Sequence, residues 1–522
     1  MADQLDSFLQ GTWRAGESDP VALVNPANAA VVATVRTIRS SLADAVRWGR
    51  EVGGANLRAL SFAQRGELLE RMAKLVHEQR EPLIDVAVAN GGNTRGDAKF
   101  DIDGGIAVLA HYAELAKTLG HSPWLVLDEA EPIFRSSKIR AEHVLVPRHG
   151  LALHINAFNF PAWGMLGKAA VSLLAGMPVL CKPATSTAAL AHRIVQLFVE
   201  RELLPAGSFQ LLMGSAGDLL DQVGPQDVIA FTGSQSVGNQ IKTHANVVAR
   251  GTRVNLEADS LNAVVIGPDV EGELFDLVVR DLVVELTQKA GQKCTATRRV
   301  LVPEGLFERV RDTLGDRLRE LKIGDPSDKA VRMGPLSSAA QLADARRGIE
   351  LLSKDADVVI GNPRRAEGWV GAGAEAGYFL EPIVLAAKPE RAAASDAAFH
   401  QHEVFGPVAT LLPYDGTIAG AAKIIALGGG SLVSTVYGDD REWLSSAIAE
   451  LGPWLGRLVI ASEKFAAASM SPGCVFPVAN HGGPGRAGGG EELGGKFGLA
   501  LYMQRLAVQS GASQLARLLE GK

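Results

Sequence analysis

The stretch LALHINAFNFPAWGMLGKAAVSLLAGMPVLCKPA, Leu151 to Ala184, decides the fold. LALHINA is a short apolar run of strand type, AWGMLGKAAVSLLAG is long enough for a helix, and PVLCKPA is a second strand. Strand, helix and strand in succession make a βαβ unit and a parallel pair. The alternation continues downstream. STAALAHRIVQLFVERELL reads as a helix opened by a hydroxyl cap, FQLLMG as a strand and AGDLLDQVG as a short helix. VIAFTGS and QSVGNQIKTHA add another strand and helix. Residues 42 to 120 carry helical spacing instead. A sheet of this kind binds its ligands at the carboxyl ends of its strands.

A second alternating region begins near Asn262. NAVVIGP is a strand, and in FDLVVRDLVVELTQKAG the residues Phe275, Val278, Val279, Leu282, Val283 and Leu286 follow helical spacing. Gly291 is the expected end of that helix. RRVLVP, LVSTVYGDD and RLVIAS are further strands. SSKIRAEHVLVPRHG, 136 to 150, interrupts the first unit and alternates like a hairpin arm. The Gly-dense run 481 to 498 reads as turns.

The chain has 522 residues, too many for one core, with 47% hydrophobic and 21% charged residues, as in an ordinary globular protein. A net charge of −6 gives no basic footprint for nucleic acid. No apolar run is long enough to span a bilayer, and the N-terminus is too polar for a signal peptide. Three cysteines cannot all pair with one another, and their spacing fits no metal site. The expected compartment is a reducing cytoplasm.

One cysteine stands apart. In KAGQKCTATRR, Cys294 lies on a helix-to-strand connection between Lys289, Lys293, Arg298 and Arg299. Cations lower a thiol pKa and favour the nucleophilic thiolate. An idle loop cysteine reads the same way locally. Cys181 falls in a buried strand, and Cys474 is a weaker second candidate. Asn156 and Asn159, at a strand end, have amides suited to an oxyanion. Glu257, ending an apolar strand, is a candidate base. FTGSQSVG is a glycine turn opening a helix, suited to a phosphate. Lys182, just past a strand, can meet a phosphate or ribose.

Taken in order, FNFPAW, CKPA, FTGS, LEADS, GQKC, FGPV and HGGPGRAGGGEELGG resemble the aldehyde dehydrogenase superfamily over nearly the whole chain. The resemblance implies an α/β fold with a Rossmann-like cofactor domain (1–135 and 148–262), an α/β catalytic domain (263–480), and a small β oligomerisation arm with a C-terminal segment (136–147 and 481–522). It makes Cys294 the nucleophile, Glu257 the general base, Asn159 and the Cys294 N–H the oxyanion donors, and Lys168 a supporting lysine. Lys182, Gly233 and Ser234 match cofactor contacts, and Glu403 and Phe405 match residues that hold the nicotinamide ribose and ring. A homodimer, or a tetramer of such dimers, is implied.

Two departures matter. Ala258-Asp259-Ser260-Leu261 replaces the usual Leu-Gly-Gly-Lys, so the exit behind Glu257 is built differently. Thr185 stands three residues after Lys182, where NAD-preferring members carry a glutamate, so NADP is the expected cofactor and NAD the poorer one. The EADSLN wording resembles a branch acting on semialdehydes carried on coenzyme A. Arg486, His481 and glycine backbone amides are the expected cradle for that coenzyme. The alternatives are a general NAD(P) aldehyde dehydrogenase for free aldehydes, a CoA-acylating relative, which Glu257 argues against, and a cofactor-independent cysteine hydrolase. The hydrolase needs a histidine base, and none lies near Cys294 in sequence. A structural protein that has kept this fold is the non-enzyme reading.

Overall fold

The computed structural model describes residues 3–127, 131–133, 138–371, 373–466 and 471–519. Leu151–Ala184 forms the strand Ala152–Ile155, the helix Trp163–Leu174 and the strand Val179–Lys182, with the two strands adjacent and parallel. All of Met165–Leu174 is buried, so this helix is enclosed on every side. These strands lie in a seven-stranded sheet ordered Arg253–Glu257, Val228–Thr232, Ala152–Ile155, Val179–Lys182, Phe209–Leu211, Ser7–Leu9, Thr12–Arg14. The first five are parallel and the last two antiparallel. Ile155, Lys182, Thr232 and Glu257 therefore all end at one edge, where such sheets bind ligands.

A second seven-stranded sheet takes its strands from Ala263–Ile266 to Leu455–Ala461, with Arg299–Pro303 beside Ala263–Ile266 near its centre. It is parallel except where Ala356–Ile360 meets Ile383–Ala387. Among the described residues no helix is long and apolar enough to cross a membrane.

Several local expectations change. The helix feeding the Cys294 loop is Gly272–Thr287 and stops short of Gly291. Lys289 and Ala290 turn into positive φ, at 53° and 52°. Such strain at non-glycine residues persists only where surroundings over-determine it. Here Gly291 packs so closely on the neighbouring chain that a Cβ would lie 2.3 Å from the Gly406 carbonyl oxygen. The helix Ala188–Glu200 has no hydroxyl cap: Thr187 donates its hydroxyl to the Phe158 carbonyl at 2.8 Å, tying the strand exit instead.

The arm is the strand Ile139–Pro147; positions 136–137 lie outside the described residues. It pairs along its length with Met503–Gly511, and also with Leu125–Val126 and Glu131–Pro132. The segment after the glycine run is helical over Leu499–Tyr502 before it becomes the strand Met503–Gly511. The glycine run is more than turns: Asn480–Gly482 and Glu491–Leu493 form an antiparallel hairpin with His481 opposite Glu492. A three-stranded sheet of Asp3–Leu5, Val31–Val35 and Val21–Val24, unforeseen in the sequence, completes the N-terminal region.

Candidate active site

The loop carrying Cys294 is fixed from several directions. Asn262 donates its amide to the carbonyls of Cys294 at 2.7 Å and Ala296 at 2.9 Å. Gln292 accepts from the Ser337 N–H at 3.0 Å, and Thr295 donates to the Gly473 carbonyl at 3.0 Å. Lys293 is buried on Glu285 at 2.9 Å. The Cys294 N–H and the Asn159 side-chain amide have no hydrogen-bond partner among the described residues. Both residues line one pocket, together with Phe160, Trp163, Lys168, Glu257 and His481.

Glu257 ends its strand beneath the nucleophile. It takes the Thr232 hydroxyl at 3.3 Å, and Lys168 in turn donates to Thr232 at 2.7 Å. Lys168 also pairs with Glu492 at 3.2 Å. The other carboxylate oxygen of Glu257 lies 3.1 Å from His481 Nε2, which is 3.9 Å from Cys294 Sγ. The glycine run presses against this strand: the N–H of Gly490 donates to the Leu256 carbonyl at 3.1 Å, and Ala258 N–H to the Ala487 carbonyl at 3.0 Å. A Cβ on Gly490 would lie 2.4 Å from that Leu256 oxygen, so only glycine permits the contact.

The candidate cofactor residues sit apart from this pocket. The Lys182 side chain is half-buried at a strand end, and its ammonium makes no hydrogen bond among the described residues. Thr185 opens a short turn, its hydroxyl 3.5 Å from the Gly214 carbonyl. Gly233 donates to the Glu257 carbonyl at 3.1 Å, and Ser234 caps the helix Gln235–Thr243. Asp259 also accepts the Gln235 N–H at 3.0 Å, so two of that helix's first three amides are already taken. Glu403 is buried on Arg298 at 3.1 Å and accepts from the Ser260 N–H at 2.9 Å. Phe405 stands edge-on to Phe158 at 5.7 Å. A lysine without a partner, two hydroxyls and a buried carboxylate suit the phosphates and ribose of a dinucleotide.

A profile of the aldehyde dehydrogenase family matches residues 13–506. The chain belongs to the aldehyde dehydrogenase family. It is 39% identical over 483 residues to 3,4-dehydroadipyl-CoA semialdehyde dehydrogenase of Aromatoleum evansii, covering 92% of this chain and 93% of that one. It is 31% identical to alpha-ketoglutaric semialdehyde dehydrogenase of Bacillus subtilis strain 168, covering 78% and 80%. Its fold matches betaine aldehyde dehydrogenase of Staphylococcus aureus, solved with NAD+, at TM-score 0.83 and 23% identity over 97% and 95% of the two chains. Lactaldehyde dehydrogenase matches at TM-score 0.82 and 23% identity, over 98% and 100%.

In this dehydrogenase the cations flanking Cys294 do not act on it as their sequence positions suggest. Lys293 serves Glu285, and Arg298 serves Glu403. Arg299 reaches His400 and backbone carbonyls, and Lys289 lies over the Phe160 ring at 4.7 Å. Burial instead pushes the Cys294 thiol well up, and the Glu257 carboxylate beside it pushes further. Burial also works to raise Glu257, but His481 and Lys168 outweigh it and hold that carboxyl below its usual range. The resting pair is a thiol and a carboxylate.

The dehydrogenase also differs from its expected coenzyme A cradle. His481 is inside the pocket beside the nucleophile, because the hairpin turns it there. Arg486 donates to the Gly428 carbonyl at 2.9 Å and is absent from the pocket lining. The glycine amides nearest Glu257 are spent on backbone contacts. Sequence reading missed Thr232 and Glu492 altogether. Thr232 was visible as the last residue of a recognised strand, whereas Glu492 needed the hairpin register. No metal site was expected from the cysteine spacing. The donor atoms of Glu257, Cys294 and His481 nevertheless lie within 4.8 Å of one another, a spacing open to a thiophilic cation.

Proposed function

We propose that this enzyme oxidises a semialdehyde carried on a coenzyme A thioester, 3,4-dehydroadipyl-CoA semialdehyde or a close analogue, to the corresponding acid, with NADP preferred over NAD. The observation that carries the chemistry is the convergence of Cys294, Glu257 and Asn159 on one pocket. The substrate rests on 39% identity across nearly the full length of a relative of that name. Cys294 Sγ attacks the aldehyde carbon. The resulting oxyanion faces the Asn159 amide and the Cys294 N–H, both without protein partners. When bound, the nicotinamide supplies the hydride acceptor that converts the thiohemiacetal to a thioester on Cys294. Glu257 then takes a proton from water, and the hydroxide releases the acid. Lys168 supports this step by holding Thr232 against Glu257.

Lys182, Thr185, Gly233 and Ser234 would hold the adenosine ribose and phosphates. Glu403 and Phe405 would hold the nicotinamide ribose and ring. The paired strands Ile139–Pro147 and Met503–Gly511 leave Ile139 and Leu506 about half exposed, which suits a dimer contact. Three free cysteines suit a cytoplasmic enzyme in a reducing compartment.

The test is reduction of each nicotinamide cofactor with CoA-linked and free semialdehydes of equal chain length. Binding energy from the remote CoA group should raise kcat/KM markedly. Equal values for free aldehydes would remove the CoA assignment and leave aldehyde oxidation intact.

A further inference from the structure

His481 occupies a position that the reaction outlined above leaves unused. Its Nε2 faces two reacting groups at once, Glu257 at 3.1 Å and Cys294 Sγ at 3.9 Å. Glu257 Oε1 has no hydrogen bond among the described residues, so at rest Nε2 faces that carboxylate by proximity alone, and its hydrogen-bond contact is the one with Sγ. Sulfur contacts of this length are weak with a thiol and strengthen with a thiolate, as charge-assisted hydrogen bonds do.

The pocket's other free donors, the Asn159 amide and the Cys294 N–H, serve the oxyanion in the reaction above. Lys293, Arg298, Arg299 and Lys289 are turned to other partners. Lys168 is shared between Thr232 and Glu492. Arg457 gives one guanidinium nitrogen to the Cys474 carbonyl; the other two are buried without a hydrogen-bond partner among the described residues, and Arg457 does not line the pocket. The charged groups acting on Cys294 from the surrounding elements are Glu257, Glu403, Lys168 and Arg457. Two of these are carboxylates, which oppose a negative sulfur.

We propose that His481 is a catalytic residue whose Nε2–H is placed for the Cys294 sulfur and holds it as negative charge moves there from the Glu257 carboxylate. The thiol proton passes from Sγ to Glu257: the S–H bond breaks, an O–H bond forms, and the electron pair stays on sulfur. Glu257 becomes neutral, while Sγ becomes negative and takes the Nε2–H. No electrons leave the pair. After the thioester forms, Glu257 gives that proton to water, returns to the carboxylate form and again faces Sγ for the hydrolytic step. The antiparallel hairpin sets this geometry, since pairing His481 with Glu492 puts both side chains on the face that lines the pocket.

The inference rests on Cys294 being the nucleophile, which loss of aldehyde oxidation in Cys294→Ala tests separately. Its own test needs neither aldehyde nor cofactor. Iodoacetamide alkylation of Cys294 in the full-length enzyme, followed by mass spectrometry across the neutral and alkaline range, reads thiolate availability directly. His481→Ala should slow alkylation at neutral pH by about tenfold to a hundredfold, the scale of one hydrogen bond to a charged group, and move the profile to higher pH. His481→Gln keeps an N–H donor and should recover most of the rate. An alkylation profile for His481→Ala that overlays the wild type overturns the proposal. So does a His481→Gln profile as impaired as that of His481→Ala, because packing rather than hydrogen bonding would then be at stake.

Discussion

Lys293 Nζ lies 2.9 Å from Glu285 Oε1, directly before the nucleophile in sequence, and both side chains are almost wholly buried. Glu285 also accepts from Ser471 and from the Gly473 N–H, so the pair joins the Cys294 loop to the segment beside it. Removing one partner strands the other's charge in the interior. Lys293→Met should destabilise the enzyme by about 3–5 kcal/mol, measured as the loss in free energy of chemical unfolding. A loss under about 1 kcal/mol would mean that Glu285 is rehydrated or protonated at little cost.

That pair also marks where sequence reading stopped. The strand-and-helix alternation from Leu151 made the parallel sheet legible, because period and length report burial directly. Cys294, Glu257 and Asn159 were legible as ends of those elements. What the side chains around them do was not. Lys293 and Arg298 looked like acidifiers of the thiol, yet each is turned to a buried carboxylate more than a hundred residues away or one helix back. His481 was read as part of a coenzyme A cradle, because the glycines around it look like turns. Only the register against Glu492 reveals its direction.

The nucleophile and base should separate kinetically. Cys294→Ala should abolish aldehyde oxidation while cofactor binding persists. Glu257→Gln should form reduced cofactor in a single burst, about one equivalent per active site, and then stall, since hydride transfer precedes the hydrolysis that needs the base. Stopped-flow absorbance reads this, and steady turnover by Glu257→Gln would assign the base elsewhere.

Asn159→Ala removes one of the two oxyanion donors. The expected loss in kcat is about a hundredfold to a thousandfold, with cofactor affinity unchanged. A loss confined to KM would show that Asn159 binds the ground-state aldehyde without favouring the transition state.

Glu403 should confer a pH dependence on cofactor binding. Burial raises its pKa to about 7, against the pull of Arg298 and the Ser260 N–H. A raised carboxyl pKa means that the folded protein holds the proton more tightly than the unfolded chain. The associated stability is therefore fully present below the unfolded value and is lost as pH rises through about 7. The ionised carboxylate is the better acceptor for ribose hydroxyls, so cofactor affinity should rise through the same interval. Binding titrations by fluorescence should show this inflection in the wild type and lack it in Glu403→Gln.

Cofactor choice should turn on Thr185. It begins the short turn after the strand that ends at Lys182, and its hydroxyl makes only a long contact, 3.5 Å, with the Gly214 carbonyl. That leaves it available to a phosphate oxygen, while Lys182 contributes a half-buried positive charge. A glutamate here would accept both hydroxyls of an unphosphorylated ribose and repel a 2′-phosphate. Like charges at contact distance cost a few kcal/mol in a partly buried setting, so the swing in preference should be at least about tenfold. Thr185→Glu should therefore lower kcat/KM with NADP and raise it with NAD, while Thr185→Ala should weaken NADP only modestly because Lys182 remains. The ratio of kcat/KM for the two cofactors, measured with one aldehyde, is the readout. A wild-type ratio favouring NAD, or a Thr185→Glu variant with an unchanged ratio, would move the determinant of cofactor choice away from this turn.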